Sequence, residues 1–187
     1  MTTGLDGAIY AAWRHVYPGN IRDIAFASSH DGGRTFSAPS RVSADEWTLD
    51  GCPENGPALA VAADNSVHVL WPTLVPAAHA DGEPTLALFH AMTRDARTFS
   101  PRERIATDGT PRHPQLVSTA RGVAAAWDEE VDGGNRRVVL MRTLDGSRDV
   151  ISSARAQTPA IAAVDNSIVV AWTEGTDQSV IHVARRY

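Results

Sequence analysis

Ser29-His30-Asp31-Gly32-Gly33-Arg34-Thr35-Phe36 decides the fold of this chain. It reads Ser-x-Asp-x-Gly-x-Thr-aromatic, a pattern that organises the turn of a β-hairpin. The short Asp31 side chain can accept hydrogen bonds from its own turn. Gly33 supplies a conformation that is costly for other residues, Thr35 suits a returning strand, and Phe36 is expected to fold into the sheet and pin the loop. Degenerate copies follow. Thr93-Arg94-Asp95-Ala96-Arg97-Thr98-Phe99 is one residue shorter between Asp and Thr, and Leu144-Asp145-Gly146-Ser147 keeps only the centre.

Outward from these turns the chain repeats. Ala8–Trp13, Ser66–Trp71, Gly122–Trp127 and Ser167–Trp172 are short β-type segments that each end in tryptophan, recurring every 45 to 58 residues. That spacing suits the four-stranded blade of a propeller. The last three are preceded by related strands, Gly56–Val61, His113–Ser118 and Thr158–Ala163, whose opening prolines fit a strand's first residues. Asp, Asn and Gly in the intervening turns provide the positive φ values that tight hairpins need. A third strand follows each tryptophan at 23–27, 86–91, 138–142 and 180–184. A fourth is visible near 40–43, 102–106 and 149–152, and no long amphipathic helix competes.

The expected fold is therefore all-β: a β-propeller of antiparallel four-stranded blades at about 1–48, 49–108, 109–155 and 156–187, forming one domain. The first blade is expected to lack its leading strand and the last its outer strand. Such a chain is either a tight four-bladed ring or part of a longer propeller, such as a six-bladed one, since propellers hold 4–8 blades. Open strand edges would favour self-association.

Bulk properties narrow the function classes. A net charge of −5 over 187 residues argues against a general nucleic-acid binder. All 17 cationic residues are arginine, the better planar fork for carboxylates. Cys52 is the lone cysteine, which excludes an intrachain disulfide and a thiolate cluster. No apolar run is long enough to span a bilayer. Met1–Asp6 lacks the features of a signal peptide, so no export signal is expected within these residues and the compartment stays unassigned. No metal-ligand spacing, phosphate-binding glycine loop or Gly-x-Ser-x-Gly occurs, so no cofactor or metal is expected.

The turn pattern resembles the Asp-box, or BNR repeat, of the sialidase superfamily. The flanks Trp13–Asp23 and Asp50–Pro57 are similar to bacterial sialidase-like and exo-α-sialidase proteins, and the resemblance extends over essentially the whole chain. It implies that Ser29, Asp31, Gly33, Thr35 and Phe36 are structural, on a rim away from substrate. It also implies an exo-glycosidase acting on a terminal acidic sugar, with three arginines on the sugar carboxylate, a tyrosine nucleophile activated by Glu, and an Asp acid/base. The family's Arg-Ile-Pro motif is absent here.

Blade topology places second-to-third loops and blade connections on the face opposite the boxes. That face collects Arg14, His15, Tyr17, Arg22, Asp23, Asp45, Glu54, His79, Asp81, Arg112, His113, Asp128, Glu129, Glu130 and Asp177. Arg14, Arg22 and Arg112 are the candidate substrate-binding arginines. Asp128 and Glu129 are the candidate acid or base, and Tyr17 the candidate nucleophile. Bland readings compete: an inter-blade ion network for Arg14, Arg22 and Asp23, a solvated loop for Asp128–Glu130, and hydrogen-bonding roles for His15 and His113. A non-catalytic propeller binding glycan or protein through the same face is the alternative function.

Overall fold

The computed structural model describes residues 1–51, 55–76, 82–176 and 178–187; Cys52, Glu54, His79, Asp81 and Asp177 lie outside them. Among the described residues, fifteen strands form four antiparallel sheets in chain order, which are the blades of a propeller. Blade 1 contains β1 (Thr2–Thr3), β2 (Ile9–Arg14), β3 (Ile24–Ser29) and β4 (Ser40–Arg41). Blade 2 contains β5 (Ala58–Val61), β6 (Val67–Val75), β7 (Thr85–Thr93) and β8 (Glu103–Ile105). Blade 3 contains β9 (Thr110–Thr119), β10 (Gly122–Val131), β11 (Asn135–Met141) and β12 (Arg148–Val150). Blade 4 contains β13 (Ala156–Val164), β14 (Ser167–Glu174) and β15 (Val180–Arg186).

Two expectations need correction. Blade 1 does have a leading strand: Thr2 and Thr3 pair with Tyr10 and Ile9. Two residues are too few for alternation to register in a sequence. The tryptophan strands also run past their tryptophans. β10 continues to Val131, so Asp128 and Glu129 are fully buried strand residues and not a solvated loop. Blade 4 has three strands among the described residues.

The core lies between blades, and each interface has the same construction. One face of a blade, here called forward, packs on the tryptophan-bearing back face of the next. Tyr10, Ile24 and Phe26 of blade 1 meet Val67, Val69, Trp71 and Phe89 of blade 2. Leu70 and Leu88 meet Ala125, Trp127 and Val139 of blade 3. Ala124, Ala126, Val138 and Leu140 meet Ile168, Val170 and Trp172 of blade 4. Period-2 alternation delivers the two faces, and strands buried on both faces read as nearly continuous apolar runs. Prolines 111, 114 and 159 sit in the innermost strands β9 and β13, whose axial edge needs no further ladder partner.

The third-to-fourth strand turns close as their residues dictate. Asp31 Oδ1 accepts from the Ser29 hydroxyl at 2.8 Å and from the Thr35 amide at 2.9 Å, while Oδ2 accepts from the Thr35 hydroxyl at 2.6 Å. Gly33, at φ 84°, donates its amide to Ser29 Oγ. Asp95 repeats the device with Thr93, Arg97 and Thr98. Phe36 does not fold in; it is 43% exposed, whereas Phe99 stacks edge-on against Phe26. On the same side of the ring, Asp64, Ser66, His68 and His90 form a hydrogen-bonded chain, with the two imidazoles 2.9 Å apart.

These turns make stability pH-dependent with a predictable sign. Burial, then the neighbouring His68, lowers the His90 pKa from 6.5 to about 4. A base that is harder to protonate when folded contributes stability above pH 6.5 that is lost as pH falls toward about 4. The Thr35 hydroxyl, the Thr35 amide and then Ser29 hold Asp31 at about 2, below its ordinary 3.8. That contribution is lost in a second, lower window. Thermal melts across pH should show both declines, with His90→Gln flattening the upper one and Asp31→Asn the lower. Trp127→Ala, at a fully buried site, should cost about 3–5 kcal/mol in chemical denaturation.

Candidate functional site

The ends of the strands opposite the Asp31 turn carry most of the buried charge, and four hydrogen bonds explain much of it. A buried indole N–H usually finds an acceptor, and those of the four repeat tryptophans do, whereas that of Trp47 has none among the described residues. Trp13 donates to His15, Trp127 to Glu129 and Trp172 to Glu174, each two residues further along its own strand direction. Trp71, followed at that position by Thr73, donates instead to Asp45 Oδ2 at 2.7 Å. The buried carboxylates then need cations. Arg137 binds Glu129 at 2.7 and 3.0 Å and bridges to Asp108, which also holds Arg148. Arg102 pairs with Asp45. The Trp-x-His/Glu spacing was a sequence signal for this structural role.

The polar residues of blade 1 find their partners within the protein, some of them on blade 2 and the connection to it. Arg14 donates to the carbonyls of Arg22 (2.7 Å), Pro72 (2.5 Å) and Asn55, and lies over the Trp47 ring. Burial lowers its pKa to about 10. Arg22 donates to the Leu49 carbonyl and to Asn20 Oδ1. Asp23, fully buried, takes Arg41 and the amides of Glu46 and Trp47, fastening the connection to blade 2. Its ionic partner is thus Arg41, not Arg14 or Arg22. Tyr17 packs between His15 and Arg41, and burial, ahead of charge effects, raises its phenol pKa.

Blades 3 and 4 are arranged differently. Asp128 and Glu129 are neighbours on β10 and so point to opposite faces. Glu129 faces Arg137; Asp128 faces the forward side. Asp128 Oδ1 accepts from the Thr158 amide of blade 4 at 3.1 Å and lies 2.7 Å from His113 Nδ1. A carboxylate at Nδ1 makes that nitrogen the donor of the pair, and Nε2 has no hydrogen-bond partner among the described residues. Asp128 Oδ2 is buried without a partner. Arg112 is the cross-strand partner of Asp128. Its Nε is unpartnered, and its nearest carboxylate, Glu130, is 3.8 Å away. Glu130 also meets Arg136, which donates to Gln157 of blade 4.

One hydrogen-bonded belt links all four blades. It runs from Arg14 to the Asn55 carbonyl, from Asn55 Oδ1 to the His113 amide, then through Asp128 to Thr158. The belt joins Arg14 and Asp128 in one network. Among the described residues no group of three His, Cys, Asp or Glu is placed to hold a metal. No helix there is long and apolar enough to cross a membrane.

This architecture matches solved propellers. Trypanosoma rangeli sialidase in complex with the inhibitor DANA aligns over 97% of this chain at TM-score 0.60 and 10% identity. The same enzyme's covalent intermediate with 2,3-difluorosialic acid aligns at TM-score 0.63 and 13% identity. The fold is sialidase-like. A xylan β-1,4-xylosidase from Bacillus halodurans also aligns, over 96% of the chain at TM-score 0.52 and 13% identity. The chain spans about a third of the length of these structures, 34–37%. No family model matches the sequence, and no curated protein sequence matches it significantly.

Arg14→Ala should leave three backbone carbonyls without their charged donor and destabilise the fold by at least about 2 kcal/mol, read as a lower denaturant midpoint. Arg112→Ala, which removes no short ion pair, should leave the midpoint nearly unchanged.

Proposed function

We propose that this protein recognises the terminal acidic sugar of a glycan at the axial end of blades 3 and 4. The observation that carries the reading is the Asp128–His113 pair beside Arg112, whose guanidinium holds no short contact. A planar guanidinium binds a sugar carboxylate in bidentate fashion, and His113 Nε2 offers a polar contact to a neighbouring hydroxyl. Asp128 acts as the residue that orients His113. The blade 1 arginines are already engaged by carbonyls, so they shape the scaffold. The sialidase and xylosidase structures support a glycan as the ligand class, and the net charge of −5 supports it over nucleic acid.

Hydrolysis of that sugar, in the manner of an exo-α-sialidase, is the second reading, favoured by the buried Asp128 with its free oxygen. Sialidases use a neutral tyrosine as nucleophile where other glycosidases use a carboxylate pair. Tyr17 is a neutral phenol here, but its ring packs against Arg41 and His15, and this reading lacks a glutamate hydrogen-bonded to it among the described residues. Binding therefore has more geometric support than turnover.

Calorimetric titration with sialyllactose should detect binding, weakened about tenfold or more by Arg112→Ala and by His113→Ala, or roughly 1.4 kcal/mol. No binding by the wild type would defeat the proposal. Turnover of a fluorogenic sialoside that disappears in Asp128→Asn would establish the second reading; binding without turnover would exclude it.

A further inference from the structure

Blade 2 departs from its neighbours at two positions of its forward face that they fill with core side chains. Register from the tryptophan gives the equivalents. His90 pairs with Leu70, the residue before Trp71, as Phe26 pairs with Ala12 in blade 1 and Leu140 with Ala126 in blade 3. His68, three residues before its tryptophan, matches Tyr10 and Ala124. Tyr10 and Phe26 stack with centroids 5.8 Å apart, and the two imidazoles stack at 5.1 Å in the same place. Apolar packing suffices at these positions in the other blades, so the histidines bring a chemistry that blade packing does not require.

The hydrogen bonds of this pair run in one direction. The Ser66 hydroxyl and amide hold Asp64 at about 2, so it is a carboxylate that can only accept. The single Ser66 hydroxyl proton goes to it at 2.5 Å. Ser66 Oγ must then accept from His68 Nε2 at 2.9 Å. With its proton on Nε2, neutral His68 offers Nδ1 as an acceptor, and His90 Nε2 donates to it at 2.9 Å. The chain leaves a neutral His90 with its lone pair on Nδ1, which has no hydrogen-bond partner among the described residues. His90 is only 8% exposed. Burial, then the neighbouring His68, keeps its pKa at about 4, so no proton occupies that lone pair at neutral pH.

His90 lines a cleft of about 240 Å³ between blades 2 and 3. Glu103, its direct partner across β7 and β8, lines the same cleft, and directly paired residues project from one face of a sheet. Asp145 and Arg121 of blade 3 form the opposite wall. We infer that His90 Nδ1 and Glu103 bind a divalent transition-metal ion of the zinc type in this cleft. A neutral imidazole nitrogen with a carboxylate suits such an ion. A metal-bound histidine almost always donates its other N–H to a group that fixes its tautomer, and here His68, backed by Ser66 and Asp64, is that group. Asp145 adds negative charge, and water completes the coordination. The two ligands lie on neighbouring strands, a pairing that no local sequence spacing reveals. The site is on the Asp31-turn side of the ring and does not depend on the glycan reading.

Calorimetric titration of the intact chain with Zn²⁺ at neutral pH tests this. Wild type should bind one ion per chain. His90→Phe, which installs the side chain that blade 1 carries, and Glu103→Gln should each weaken binding about tenfold or more. Ser66→Ala removes no ligand but breaks the chain that fixes the His90 tautomer, and should also weaken binding about tenfold. His113→Ala should leave it unchanged, and excess Mg²⁺, which prefers oxygen ligands, should not compete. A wild type that binds no zinc, or binding that any of the first three substitutions leaves intact, would overturn the inference. If circular dichroism shows His90→Phe to be unfolded, Glu103→Gln, a change at an exposed residue, decides in its place.

Discussion

Everything in this fold answers to a single requirement: a tryptophan buried in nearly every blade must satisfy its indole N–H in a place without water. The ring supplies much of the apolar area that holds neighbouring blades together, and its nitrogen then recruits an acceptor. Where that acceptor is a carboxylate, as at Glu129 and Asp45, a buried charge follows and must itself be paired. Arg137 and Arg102 meet that demand. A hydrophobic choice at one position thus propagates into ion pairs two shells away.

This chain of obligations separates scaffold from site. Charged residues at the axial strand ends look alike in sequence, but most are answering an indole, a bent connection or an unpaired carbonyl. Arg14 and Arg22 neutralise backbone oxygens that loop geometry leaves exposed within the protein. Arg112 has no such creditor among the short contacts, and His113 has one nitrogen fixed and the other open. What distinguishes a candidate ligand-binding group here is that its polar atoms are not consumed by folding.

The sequence carried the architecture well because its signals were periodic. Tryptophan-bearing strands, proline-containing inner strands and the Asp31 and Asp95 turns recur at blade spacing and reappear as sheets and hairpins, although β9 and β13 begin before their prolines and β10 runs on past its tryptophan. It carried the site poorly because pairing is not periodic. Nothing local distinguishes Asp128 from Glu129; only strand alternation, visible once β10 is known to continue past Trp127, sends them to opposite faces. Phe36 shows the limit of motif reasoning. Its turn closes through Asp31 as the pattern implies, yet the ring stays exposed. The equivalent Phe99 found a cavity against Phe26. Thr2–Thr3 was invisible for want of length.

The inner strands also hold a conformational latch. His113 and Thr158, each followed by proline, sit at φ 47° and 55°, a region that costs a side-chain-bearing residue of order 1–3 kcal/mol and that a following proline disfavours further. Each spends its amide on the preceding or adjoining blade, His113 on Asn55 and Thr158 on Asp128. The bend at the entrance to a blade is thereby sustained by its predecessor. The inward turns of blades 3 and 4 are therefore borrowed from their neighbours, and loosening the blade ahead of either one removes the amide acceptor that keeps it bent.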